Sequence, residues 1–165
     1  HWREAVLALT MMVPQGSLSW LLEPLIGPLA KTTIAQIATF LLHYLGFEVV
    51  RSGTLVIRPA GTVDVWYGCT GMDGVIVLLQ LSVLCLMMFP LPQGKRWLVP
   101  VGGMAIALLL SSIRVALMSA TVNHPSTFDY LHGPQGNQLF STLSIVAFGG
   151  YCQIHLEQTE ERRIR

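Results

Sequence analysis

From Trp97 to Val122 the chain carries a single charged side chain, Arg114, in a run of mostly Leu, Val, Ala, Met and Ser. A helix of that length and apolarity crosses the ~30 Å hydrocarbon layer of a bilayer. Backbone polar groups at that depth find no water, so the fold is confined to helices that satisfy their own hydrogen bonds. Two further apolar runs accompany it. One goes from Val75 to Leu91, can start near Cys69, and ends at Pro90 and Pro92; the other goes from about Gln138 to Leu156. Only 12% of residues are charged and 52% are hydrophobic, against roughly 25% charged in a soluble domain. These features predict an all-α polytopic membrane protein, one domain over residues 1–165 with about four transmembrane helices.

The N-terminal third is less uniform. Ala5–Val13 is apolar and continues towards Leu22, as one span or the end of one begun upstream. Between Lys31 and Leu45, polar Thr32, Gln36, Thr39 and His43 recur every three to four residues, opposite Ile34, Ile37, Leu41 and Leu45. That spacing predicts an amphipathic helix lying in the membrane interface. Gly46 stops it. Val49–Arg58 then reads as two short β runs around Ser52-Gly53, a β-hairpin, with a further extended piece, Val63–Tyr67, leading into Cys69. The positive-inside rule places Lys95, Arg96, Arg162, Arg163 and Arg165 on the cytoplasmic side. The β element (47–66), Cys69 and the loop Asn123–Gly136 are then extracytoplasmic, residues 69–156 form the core helices, and 157–165 are a cytoplasmic tail. There is no cleavable signal peptide and no internal repeat, and a start at His1 rather than Met leads one to expect residues upstream.

A net charge of +1 offers no basic field for nucleic acid. Cysteines at 69, 85 and 152 lack the CxxC spacing of zinc or redox sites, and their odd number argues against a disulfide framework. His124 and His132 flank Asp129, but no HExxH pattern, phosphate loop or GxSxG elbow is present. No metal and no cofactor are expected.

Three residues carry chemistry. A guanidinium at membrane depth costs at least ~2.5–3.5 kcal/mol, so Arg114 is expected to face a polar interior; the alternatives are snorkelling to the headgroups or a structural pair with Asp73. Cys69 opens its helix in Tyr67-Gly68-Cys69-Thr70-Gly71, where the helix dipole favours thiolate and the small neighbours leave room for a polypeptide. Cys85 and Cys152 sit in apolar runs and behave as small hydrophobes. His132 lies in the loop expected on the Cys69 side and can shuttle the thiol's proton; His124, in the same loop, is its rival. Thiol, guanidinium and imidazole together suit acyl transfer.

The ordered set of Cys69-Thr70-Gly71-Met72, Ser111-Ser112-Ile113-Arg114 and His132 on a polytopic background resembles the exosortases, within the exosortase/archaeosortase superfamily of membrane-embedded cysteine transpeptidases. The resemblance extends over roughly residues 12–150 and includes the lead-in Leu42–Gly46 and the Gly53–Ile57 strand. Thr70 stands where the family commonly has Ser, and Ser111 where it commonly has Asn; the short chain is similar to the compact cyanobacterial-type members.

The resemblance implies that Cys69 is the nucleophile, Arg114 the oxyanion-stabilising arginine and His132 the third member. It implies secreted protein substrates with a C-terminal tail of short motif (such as Pro-Glu-Pro), transmembrane helix and basic cluster. The acyl group would pass to a membrane lipid or surface glycan, in a bacterial inner membrane with the site facing outwards. Asp73, Ser111, Trp66 and Tyr67 are candidate substrate-binding or supporting residues, with Gln80 further along the cysteine helix. Two other readings stay open: a protease releasing its substrate to water, and a small transporter or assembly subunit in which Arg114 binds an anion or pairs structurally.

Overall fold

The computed structural model describes the backbone of residues 15–66, 71–89 and 93–164, and the side chains of residues 21–66, 71–89 and 94–154. Helix α1 (Gln15–Tyr44) leads into strands β1 (Val50–Ser52), β2 (Leu55–Arg58) and β3 (Gly61–Asp64). Helices α2 (Met72–Met88), α3 (Leu98–Ala120), α4 (Pro125–His132) and α5 (Pro134–Ile164) follow, with a 3-10 turn at Gln93–Lys95 before α3. Prolines begin α4 and α5, where a helix leaves its first N–H groups unbonded in any case.

Helix α3 is the central element, packed by α1, α2, α4, α5 and β3. On one side Ile34, Ala35, Ala38 and Leu42 of α1 meet Val115, Ala116 and Met118 of α3, closed by Val56, Val65, Leu131 and Phe140. On the other, Val75 and Leu78 of α2 meet Val99 and Ala107 of α3 and Phe148 and Cys152 of α5.

The structure corrects the interfacial helix expected over residues 31–45. That segment is the second half of α1, whose Ile34, Ala35, Ala38 and Leu42 have no exposed surface. Two of the four polar positions that suggested an interface satisfy themselves: Thr32 Oγ1 donates to the Pro28 carbonyl at 2.9 Å and Thr39 Oγ1 to that of Ala35 at 2.7 Å, while Gln36 and His43 are exposed. A hydroxyl bonded one turn back needs no water. Pro24 and Pro28 lie inside the helix, as membrane helices tolerate.

Two described helices are long and apolar enough to cross a membrane, Leu21–Tyr44 and Leu98–Ala120, while Met72–Met88 is apolar but shorter. The expected β-hairpin is a three-stranded antiparallel sheet in the order β1-β2-β3, with Ser52 opposite Leu55 and Arg58 opposite Gly61. The loop expected over 123–136 contains α4, so His132 ends a helix. The segment expected as a tail continues α5 to Ile164.

The sheet is pinned to the end of α3. Arg58 Nη1 donates to the carbonyl of Ser119, one of the last of that helix, and its guanidinium lies 4.4 Å above the Phe47 ring.

Candidate active site around Arg114

A tight elbow between α4 and α5 creates the site. Gly136 fits against the backbone of Leu131 so closely that a Cβ would collide with the Leu131 carbonyl. The first turn of α5 is thereby folded back beside the last turn of α4, whose terminal carbonyls have no partner within their own helix.

Arg114 fills that gap. It is only 3% exposed, so it does not snorkel. Its Nε donates to the Leu131 carbonyl at 2.9 Å, its Nη2 to the His132 carbonyl at 3.1 Å, and its Nη1 to Asn137 Oδ1 at 2.9 Å. The guanidinium thus caps α4, and the roughly half-unit negative charge at a helix C-terminus offsets the cost of burying a cation there. The structural pair with Asp73 is not what holds it: Asp73 is exposed in the first turn of α2, and the described bonds go to α4 and Asn137.

Beside the guanidinium lies a cavity of about 20 Å³, room for one water-sized group. Gly71 and Gly74 of the α2 start line it, with Ala107, Ser111 and Arg114 of α3 and Asn137, Phe140, Ser141 and Ser144 of α5. In each of α3 and α5 three lining positions (107, 111, 114; 137, 141, 144) are spaced by four and then three residues, one face of a helix. Gly71 takes a left-handed φ of 61° at the N-cap of α2, and any Cβ there would strike Ser111 Oγ.

Of the site residues expected from sequence, Arg114 and Ser111 share this cavity. His132 contributes its carbonyl to Arg114, while its exposed ring stacks on Phe128 at 5.8 Å between centroids. Its rival His124 is the N-cap of α4, about 12 Å away along an eight-residue helix. Trp66 is 72% exposed just after β3. Neither Trp66 nor Asp73, nor half-buried Gln80 in mid-α2, lines the cavity. Cys69 and Tyr67 lie outside the described residues.

Sequence reasoning missed Asn137, Ser141 and Ser144. Their signal was present as a polar stripe at helical spacing on a segment that reads as apolar. No group of three His, Cys, Asp or Glu able to hold a metal ion occurs among the described residues.

No curated protein and no solved structure matches the chain. The family model of transmembrane exosortases matches residues 1–149, a stretch that contains the Cys69 motif, Arg114 with its cavity, and His132. By that match, the chain belongs to the transmembrane exosortase family.

Proposed function

We propose that this protein is a cysteine transpeptidase that cuts the C-terminal sorting tail of secreted proteins on the extracytoplasmic side of the inner membrane. It transfers them to an acceptor, a membrane lipid or surface glycan. One observation carries the reading: the buried Arg114 guanidinium lines a small cavity that also includes Gly71 and the hydroxyl-bearing Ser111, Ser141 and Ser144. Covalent geometry ties Cys69 to that glycine, since two trans peptide links span no more than about 7.6 Å between Cα atoms.

In this mechanism the Cys69 thiolate adds to the scissile carbonyl carbon. A C–S bond forms, and the carbonyl π pair moves onto oxygen beside Arg114. Collapse restores the carbonyl and breaks the C–N bond, and His132, holding the thiol's proton, delivers it to the departing amine. An acceptor hydroxyl or amine then displaces the thioester sulfur, losing its proton to His132. Asp73, Ser111, Trp66 and Tyr67 serve substrate binding around this centre, Trp66 from the exposed end of the β element. Lys95 and Arg96 face the cytoplasm, and the sheet and α4 face outwards.

A second reading has its own observation: two of the described bonds of Arg114 cap α4 and the third ties it to Asn137 of α5, so all three also serve to hold the elbow together. In a non-enzymatic membrane subunit that would be its whole role.

The test is pH-dependent alkylation of the purified protein in micelles, with the modified cysteine located by mass. Selective reaction of Cys69 with an apparent pKa below the free thiol's ~8.5, rising in His132→Ala, supports the transpeptidase. A Cys69 as inert as Cys85 and Cys152, or indifferent to His132, favours the subunit.

A further inference from the structure

The Arg114–Asn137 bond fixes more than the arginine. A guanidinium has five N–H donors and no acceptor, so the amide atom that meets Arg114 Nη1 at 2.9 Å must be the carbonyl oxygen, Oδ1. The two ends of the Asn137 amide, hard to distinguish by shape alone, are therefore assigned by chemistry. With Oδ1 committed to the cation, the Nδ2 end is left as a donor of two hydrogens. Asn137 lines the cavity together with Gly71, Ser111, Ser141 and Arg114.

We infer that Asn137 is a second oxyanion donor: Arg114 orients the amide so that Nδ2–H points into the cavity where the carbonyl oxygen of the substrate becomes negative. This rests on the transpeptidase reading and adds a catalytic residue to it. The cavity, about 20 Å³, suits one oxygen atom and little else. A cation and a neutral amide make an economical pair for that oxygen, because the amide adds a directional donor without burying a second charge. The donor comes from the first turn of α5, so the hole is assembled from two helices.

Two reagents separate an oxyanion role from a structural one. Iodoacetamide alkylates a thiolate at saturated carbon, with no oxyanion formed; p-nitrophenyl acetate acylates it through a tetrahedral oxyanion. Wild type, Asn137→Ala and Asn137→Asp are compared in micelles, above the thiol's titration, with Cys69→Ala as the blank and thermal melting as the check on folding. Asn137→Asp keeps an acceptor for Arg114 and removes the donor while adding a negative charge beside the oxygen, so it stays informative where Asn137→Ala fails to fold and gives the upper limit of the loss.

The expected result is a loss of Cys69 acylation of about 100-fold, the usual size for one oxyanion-hole donor, with alkylation within twofold of wild type. Acylation at the wild-type rate in Asn137→Asp overturns the proposal, since the donor is then dispensable. Acylation and alkylation falling together also overturn it, showing a general distortion. A wild-type Cys69 that takes up neither reagent removes the transpeptidase reading itself, and the proposal with it.

Discussion

Gly71 and Ser111 meet so closely that no side chain fits at position 71: the glycine's missing Cβ would overlap the serine hydroxyl. The contact joins the start of α2 to the middle of α3, two residues after Cys69 and three before Arg114 in sequence. Its tightness explains why a small hydroxyl residue at 111 suits this chain; a longer side chain there would push against the α2 N-cap.

Gly71→Ala should therefore destabilise the protein through two separable terms. The left-handed φ of 61° costs a non-glycine residue roughly 1–2 kcal/mol, and the overlap adds to it. Adding Ser111→Ala to Gly71→Ala removes the overlapping oxygen and leaves the two Cβ atoms about 3.2 Å apart. Thermal melting in micelles should show partial recovery in the double variant. Full recovery, or none, contradicts this division.

Arg114→Met should unlock the end of α4. It removes three hydrogen bonds from a charged donor group, each worth about 1.5–3 kcal/mol, and leaves buried carbonyls unpaired. Hydrogen exchange should accelerate in residues 125–133 well before the rest of the chain. Arg114→Lys should give an intermediate rate, because one ammonium cannot reproduce the planar fork.

His124 and His132 should differ sharply in function. They occupy opposite ends of α4, and only the His132 end touches Arg114. His124→Ala is expected to leave tail cleavage within a few-fold of wild type, and His132→Ala to lower it by about 10²–10⁴, the range of general acid–base catalysis. Counting cleaved and uncleaved substrate in membranes that express each variant decides it.

Arg58→Ala should free the sheet from α3. The variant loses the bond to Ser119 and the stacking over Phe47, the latter worth about 0.5–1 kcal/mol at an accessible site. Limited proteolysis should then cut within residues 47–64 sooner than in wild type. Arg58→Lys should protect partially.

Much of this was legible in the chain and some was not, for physical reasons. The span read as Trp97–Val122 emerges as Leu98–Ala120, because an apolar run bounded by polar turns leaves little choice. Arg114 stood out because a lone charge in such a run is costly, and its cavity followed. The strand pairing around Ser52-Gly53 was visible, and the third strand was foreshadowed by the extended run into Trp66. The 31–45 segment misled because periodicity counts a threonine as polar, although Thr32 and Thr39 turn their hydroxyls back onto their own helix. Asn137 escaped because its importance comes from a fold-back at Gly136 that no local pattern announces.

The cap that Arg114 places on α4 has a consequence for timing. The same three bonds that close the elbow also set the position of the positive charge, so the charge is aligned as soon as the helices pack. A polar environment arranged during folding does not have to reorganise when negative charge appears on a bound carbonyl. Under the proposed transpeptidase reaction, the cost of arranging it falls on the folding of the elbow instead of on each turnover.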